Sequence, residues 1–122
     1  MENYLSIMKQ SQNLQETVQE GLEHIQSLLK VGKYEATITL FSDIVQAFAT
    51  IESTLRVIPK EVVTDDINEM TAKIKETLNI IVSSYEDQNY AKVEEVFQFN
   101  LMPRFNKWKT KLEEVFNPFL LS

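Results

Sequence analysis

Cysteine is absent from the 122 residues, so the chain can build no disulfide framework, thiolate nucleophile or thiolate metal site. Two glycines and three prolines are too few for a linker or for a many-turned sheet protein. Gly21 and Gly32 are isolated, which leaves no glycine-rich loop to cradle phosphate and excludes nucleotide binding by a known motif. Histidine occurs once, at His24, and nucleophilic catalysis through a Ser-His or Cys-His pair would have to involve it. It lies off the apolar stripe with Glu20 one helical turn before it, and reads as a solvated histidine. No apolar run approaches the roughly 20 residues of a membrane span. Met1 to Lys9 lacks the basic segment and apolar run of a signal peptide, so a cytoplasmic location is expected. Positive charge is also scarce. With 12 Lys and Arg against 18 Asp and Glu, the formal charge is −6 and the pI about 4.8. Nucleic acid and anionic membranes both need a basic surface, so neither is an expected partner.

What the chain does have is apolar residues at helical spacing, 43% of the sequence, which is too many for disorder. The length fits one domain over 1–122, large enough to bury roughly two-thirds of its unfolded surface. Its second half repeats its first. Leu14, Val18, Leu22 and Ile25 before a turn at Tyr34 are answered by Met70, Ile74, Leu78 and Ile81 before a turn at Tyr90. After the turns, Leu40, Ile44, Phe48, Ile51 and Leu55 correspond to Phe97, Leu101, Phe105, Trp108 and Leu112, one residue further apart, as if a residue had been inserted. A lone hairpin cannot bury its own apolar face, whereas two can close on each other. The expected fold is therefore all-α: an antiparallel four-helix bundle of two repeated hairpins, over about 4–57 and 65–116, followed by an apolar tail at 117–122.

The first helix spans about Tyr4 to Lys30, with Tyr4, Ile7, Met8, Leu14, Val18, Leu22, Ile25 and Leu29 on one stripe. Gly32 is its stop signal. The second, about Tyr34 to Arg56, has an apolar arc too wide for one neighbour and ends at Ile58-Pro59. Thr64, Asp65 and Asp66 offer acceptors for a third start, with Glu69 in capping-box register to Asp66. That helix runs to about Tyr85 and breaks at Glu86 to Asn89. The last begins near Asn89 and is expected to stop at about Phe116, before Asn117-Pro118. Gly21, mid-helix beside the Val18-Ile25 stripe, reads as a place of close helix approach, with a local bend as the alternative. Pro103 lies inside the last helix, where it deletes a backbone bond and clashes with the Phe99 carbonyl, so a kink is expected. The extra residue of the second repeat falls in the same stretch.

The segment Val96-Phe97-Gln98-Phe99-Asn100-Leu101-Met102-Pro103-Arg104-Phe105-Asn106-Lys107-Trp108 resembles a pattern in small helical bacterial proteins, mainly Gram-positive, of unassigned function. There a polar helix reaches a leucine, then x-Pro, a hydrophobe, and a tryptophan; Leu101, Pro103, Phe105 and Trp108 match. Asn100 stands where the pattern leads one to expect an acidic residue. The resemblance extends to the Gly32-Lys33-Tyr34-Glu35-Ala36 turn and the helix from Leu40 to Leu55. A looser likeness, in the hairpin rhythm and the late Trp108-Lys109, is to flagellar and related secretion chaperones, small acidic helical proteins that hold an export substrate's helix. Neither resemblance implies a catalytic residue.

Chemistry is hard to place on these residues. A carboxylate-bridged metal site in a bundle needs inward carboxylates and two Glu-x-x-His pairs, and the chain contains none. Glu94-Glu95, Asp65-Asp66 and Glu113-Glu114 follow polar faces or helix starts. No catalytic, cofactor or metal residues are assigned, and no cofactor is expected. Arg104, Lys107, Lys109 and Lys111 form a basic cluster; it reads as a solvated face paired with Glu113 or other acids, in preference to a seat for a carboxylate-bearing partner. Of seven Phe, four Tyr and one Trp, eight lie at or after Tyr85. Phe97, Phe105 and Trp108 fall on the core stripe. Phe99 and Met102 point away from the seam, and with Phe119, Leu120 and Leu121 they are candidates for an apolar contact surface. Alternatively, the tail folds back over Phe99 or the Pro103 kink turns Met102 inward. The expectation is a non-enzymatic protein-protein interaction module, binding an amphipathic helix or a second copy through Phe99, Met102, Phe119 and Leu120. The alternative is a small-ligand or metal-binding bundle.

Overall fold

The computed structural model describes residues 2–121, and among these there are helices and no strands. The elements are α1 (Glu2–Lys30), α2 (Thr37–Arg56), α3 (Asp65–Glu86), α4 (Tyr90–Val96), a π-helical turn (Phe97–Leu101) and α5 (Met102–Leu120). The last three follow one another without a break, so the chain forms four helical arms. None of the described helices is long and apolar enough to cross a membrane.

The repeat governs the packing. On α1, Ser11, Gln15, Val18, Leu22, Ile25 and Leu29 are buried; fifty-six residues later, Ile67, Thr71, Ile74, Leu78, Ile81 and Tyr85 are buried on α3. Leu14 and Met70, placed on the stripe by apolarity, are only half-buried, because the stripe passes through Gln15 and Thr71 instead. Both helices end in the same Schellman motif. Lys33 N–H reaches the Leu28 carbonyl at 3.0 Å and Gly32 N–H the Leu29 carbonyl at 3.1 Å; Asn89 N–H reaches Ser84 at 2.8 Å and Gln88 N–H reaches Tyr85 at 2.9 Å. The residue that must turn left-handed is Gly32 at φ 77° in the first copy and Gln88 at φ 56° in the second. The tyrosines after these turns meet face to face: Tyr34 and Tyr90 stack at 5.1 Å with ring planes 6° apart.

The second helix begins at Thr37 rather than Tyr34; Tyr34, Glu35 and Ala36 form a turn in which Thr37 N–H bonds to the Tyr34 carbonyl at 3.0 Å. Gly21 is a close approach, since a Cβ there would lie 2.7 Å from Cδ1 of Ile44 on α2. The connection after α2 is part of the core, with Ile58, Val62 and Val63 all buried. Their lack of helical period hid this in the sequence. The expected capping box of Asp66 and Glu69 is not formed. Thr64 is the N-cap, and its hydroxyl donates to the Asp66 carboxylate, which holds that carboxyl below its usual pKa.

Each hairpin packs within itself, α1 on α2 and α3 on α4 and α5, and the two meet chiefly along α1 and α5. Contact between α2 and α3 is sparse by comparison. Aromatic rings fill the centre. Phe41 lies 6.4 Å from Phe97 and 5.5 Å from Tyr85, and Trp108 lies 5.4 Å from Phe48 and 5.5 Å from Phe105. Two side-chain bonds tie α3 to α5: Trp108 Nε1 donates to Thr71 Oγ1 at 2.9 Å, and Arg104 donates to Thr77 Oγ1 at 2.5 Å. Rising numbers on α5 meet falling numbers on α3, so these two helices run in opposite senses.

Candidate functional site

The departure from a plain repeat is at Phe97–Leu101. In the first copy Phe41 and Ile44 are buried; in the second, Phe97 and Leu101. Three steps have become four. The extra residue is absorbed by the π-helical turn, where Met102 N–H bonds to the carbonyl of Phe97, five residues back. The offset therefore changes after Phe97. Phe97 answers Phe41, not Leu40, which is only half-buried. A proline in an unbroken α-helix collides with the carbonyl four residues back, here that of Phe99, at a cost of about 3 kcal/mol. The wider turn ahead of Pro103 changes that spacing. At the place where a kink is expected the helix carries a π-bulge, a feature frequent at functional sites.

The bulge sets which side chains face outward. Phe97 and Leu101 remain buried while Phe99, between them, is 68% exposed. Met102 is half-buried against the core. Phe119 and Leu120 are also half-buried against the core, and they belong to α5, not to a tail. Pro118 does not end the helix as expected. The last turn loses few backbone bonds, and complete burial of Phe116, with partial burial of Phe119 and Leu120, offsets the proline. Leu121 N–H closes the end on the Asn117 carbonyl at 2.9 Å. Twenty helical steps separate Phe99 from Phe119, roughly 30 Å. Phe99 and Met102 therefore share a neighbourhood, and Phe119 and Leu120 form another.

The basic cluster divides in the same way. Lys109 points toward α1, with Nζ 2.7 Å from Glu16 and 2.5 Å from Glu113. Its partial burial alone would lower the lysine pKa; the two carboxylates outweigh this and leave it raised. A cavity of about 200 Å3 adjoins this pair, lined by Gln12, Asn13, Gln15, Glu16, Lys109, Glu113 and Asn117. Gln15 is fully buried; its amide donates to Ser11 Oγ at 3.0 Å, while Oε1 has no partner. This polar pair was missed in the sequence because Leu14 and Val18 define a stripe without it. Arg104, Lys107 and Lys111 lie on the other side of α5. With Met70 and Lys73 of α3 they line an open groove.

His24 is exposed, as its place off the stripe predicts. Tyr85 is mostly buried, and desolvation pushes its phenol pKa up despite a 2.6 Å bond with Thr37 Oγ1. Among the described residues, no group of three or more His, Cys, Asp or Glu is gathered in a way that could hold a metal ion.

Fold and surface together define an all-α bundle of two duplicated hairpins, distinguished by a π-bulge that presents one phenylalanine to solvent. The chain belongs to the family described as Domain of unknown function (DUF8042), whose model matches residues 6–111. No curated protein and no solved structure matches it.

Proposed function

We propose that this chain is a non-enzymatic interaction module whose contact surface is centred on the π-bulge. The observation that carries the reading is Phe99. Of the seven phenylalanines it alone is exposed, and it lies beside half-buried Met102. Covering a phenylalanine is worth about 1.5–3 kcal/mol, which a docked partner would gain without disturbing the core. An amphipathic helix, or the same face of a second copy, meets that requirement. A secretion-chaperone-like role in the cytoplasm of a bacterium is the most concrete form of this reading. The segment Leu101-Met102-Pro103, with Trp108 beyond it, serves there as the family's motif, building the bulge and anchoring it to the core. Phe119 and Leu120 are a secondary contact at the far end of α5.

Pull-down from a bacterial lysate with the wild type and Phe99→Glu, quantified by mass spectrometry, tests it. Selective loss of a partner with unchanged thermal unfolding is expected; equal recovery of every partner rejects this surface. A second reading, small-ligand binding, is favoured by the unpartnered Gln15 Oε1 beside the cavity of about 200 Å3. Native mass spectrometry of the purified protein would then find a stoichiometric small molecule.

A further inference from the structure

We infer that the groove between α3 and α5 is a docking site for an acidic amphipathic helix of a partner protein. Its lining reverses the charge of the molecule. The chain as a whole has 12 basic and 18 acidic residues, yet the groove gathers Lys73, Arg104, Lys107 and Lys111 against one carboxylate, Glu114. Two adjoining hollows of about 440 and 250 Å3 share Met70 and Lys107. Met70 is half-buried, packed on the core, and supplies an apolar floor. Lysine stems extend such a floor while their ammonium groups stay in water.

These charges are largely unspent within the chain. Among the described residues no carboxylate lies within salt-bridge distance of Lys73 or Lys107; Lys111 meets Glu114 at 3.9 Å and also helps to lower the pKa of Asp66. Lys109, one face away, contrasts with them in being held by two carboxylates. The groove is also pre-formed. The bonds from Arg104 to Thr77 and from Trp108 to Thr71 fix α3 against α5, so a ligand need not order the walls. A helix with glutamates on its flanks and a leucine or phenylalanine between them matches this pattern: carboxylates meet Lys73, Lys107 and Lys111, and the apolar side chain covers Met70. A strongly negative molecule gains little from long-range attraction toward any polyanion. A short peptide with few charges and one anchor is the better fit to a local reversal of sign.

The inference rests on the interaction reading and adds a second surface to it, since Phe99 lines neither hollow. Its probe is a fluorescein-labelled synthetic helix of glutamate and leucine, with a lysine-for-glutamate version as control, followed by fluorescence anisotropy on the full chain. The acidic probe should bind and the basic one should not. Lys73→Glu combined with Lys107→Glu, or high salt, should weaken binding roughly tenfold or more. Lys73→Gln with Lys107→Gln, confirmed folded by circular dichroism, guards against misfolding and should weaken it by a smaller factor. No binding of the acidic probe to the wild type overturns the inference, as does binding indifferent to these variants. Heparin or phosphatidylserine vesicles bound with the same dependence on Lys73 and Lys107 also overturn it, in favour of a polyanion site. If the probe fails while Phe99→Glu still abolishes partner recovery, only this inference falls; if both fail, the interaction reading falls too.

Discussion

The two hairpins place equivalent residues in equivalent positions, but they solve the same local problems with different chemistry. Thr71 and Gln15 are both buried, fifty-six residues apart. On the second copy the opposing helix supplies Trp108, whose indole N–H satisfies Thr71. On the first, the residue at the tryptophan position is Ile51, which has no donor, and Gln15 turns to Ser11 and leaves Oε1 without a partner. The left-handed residue after the helix is glycine in one copy and glutamine in the other. A four-residue step replaces a three-residue step at Phe97–Leu101. The core tolerates all of these because what it reads is the position of apolar side chains.

The largest test makes the second copy geometrically like the first. Deleting Asn100 converts the π-helical turn to an α-helical one and should cost about 3 kcal/mol in urea unfolding, because Pro103 then meets a carbonyl four residues back. Adding Pro103→Ala should recover most of the loss. Next come the paired buried polar positions, where opposite signs are expected. Thr71→Val leaves Trp108 Nε1 unpaired and should destabilise by about 1–3 kcal/mol. Gln15→Met combined with Ser11→Ala removes the orphan acceptor together with the hydroxyl that its amide serves, and should stabilise by about 1 kcal/mol, read as a shift in the unfolding midpoint without a change in slope. The smallest concerns the two turns. Gln88→Gly should add about 0.5–1 kcal/mol, since glycine carries no Cβ penalty at positive φ; Gly32→Gln should lose a similar amount.

Why some of this was legible beforehand is visible in the same residues. Apolar spacing determines which helices form and which faces they bury, so the repeat, the four arms and the burial of Phe97, Phe105 and Trp108 could be read directly. Spacing also revealed that a residue had been inserted near Pro103. Its location within one turn could not be read, because Leu40 and Phe41 are adjacent apolar residues and either could answer Phe97. Gln15 was hidden because burial of a polar group depends on neighbours supplied by distant segments. Pro118 misled because a local rule for ending helices was overridden by burial of Phe116 and its neighbours. Of the four candidate contact residues, Phe99 alone is exposed; placing Met102 about 60° from it on a regular wheel leaves out the bulge. The groove was legible only as a run of basic residues, with Met70 and Lys73 contributed from a helix about thirty residues earlier in the chain.

Trp108 is the single indole in the chain, and it is fully buried where α2, α3 and α5 meet. Its fluorescence is consequently a built-in gauge of whether the halves are docked: a red shift reports their parting, even when each helix keeps its ellipticity.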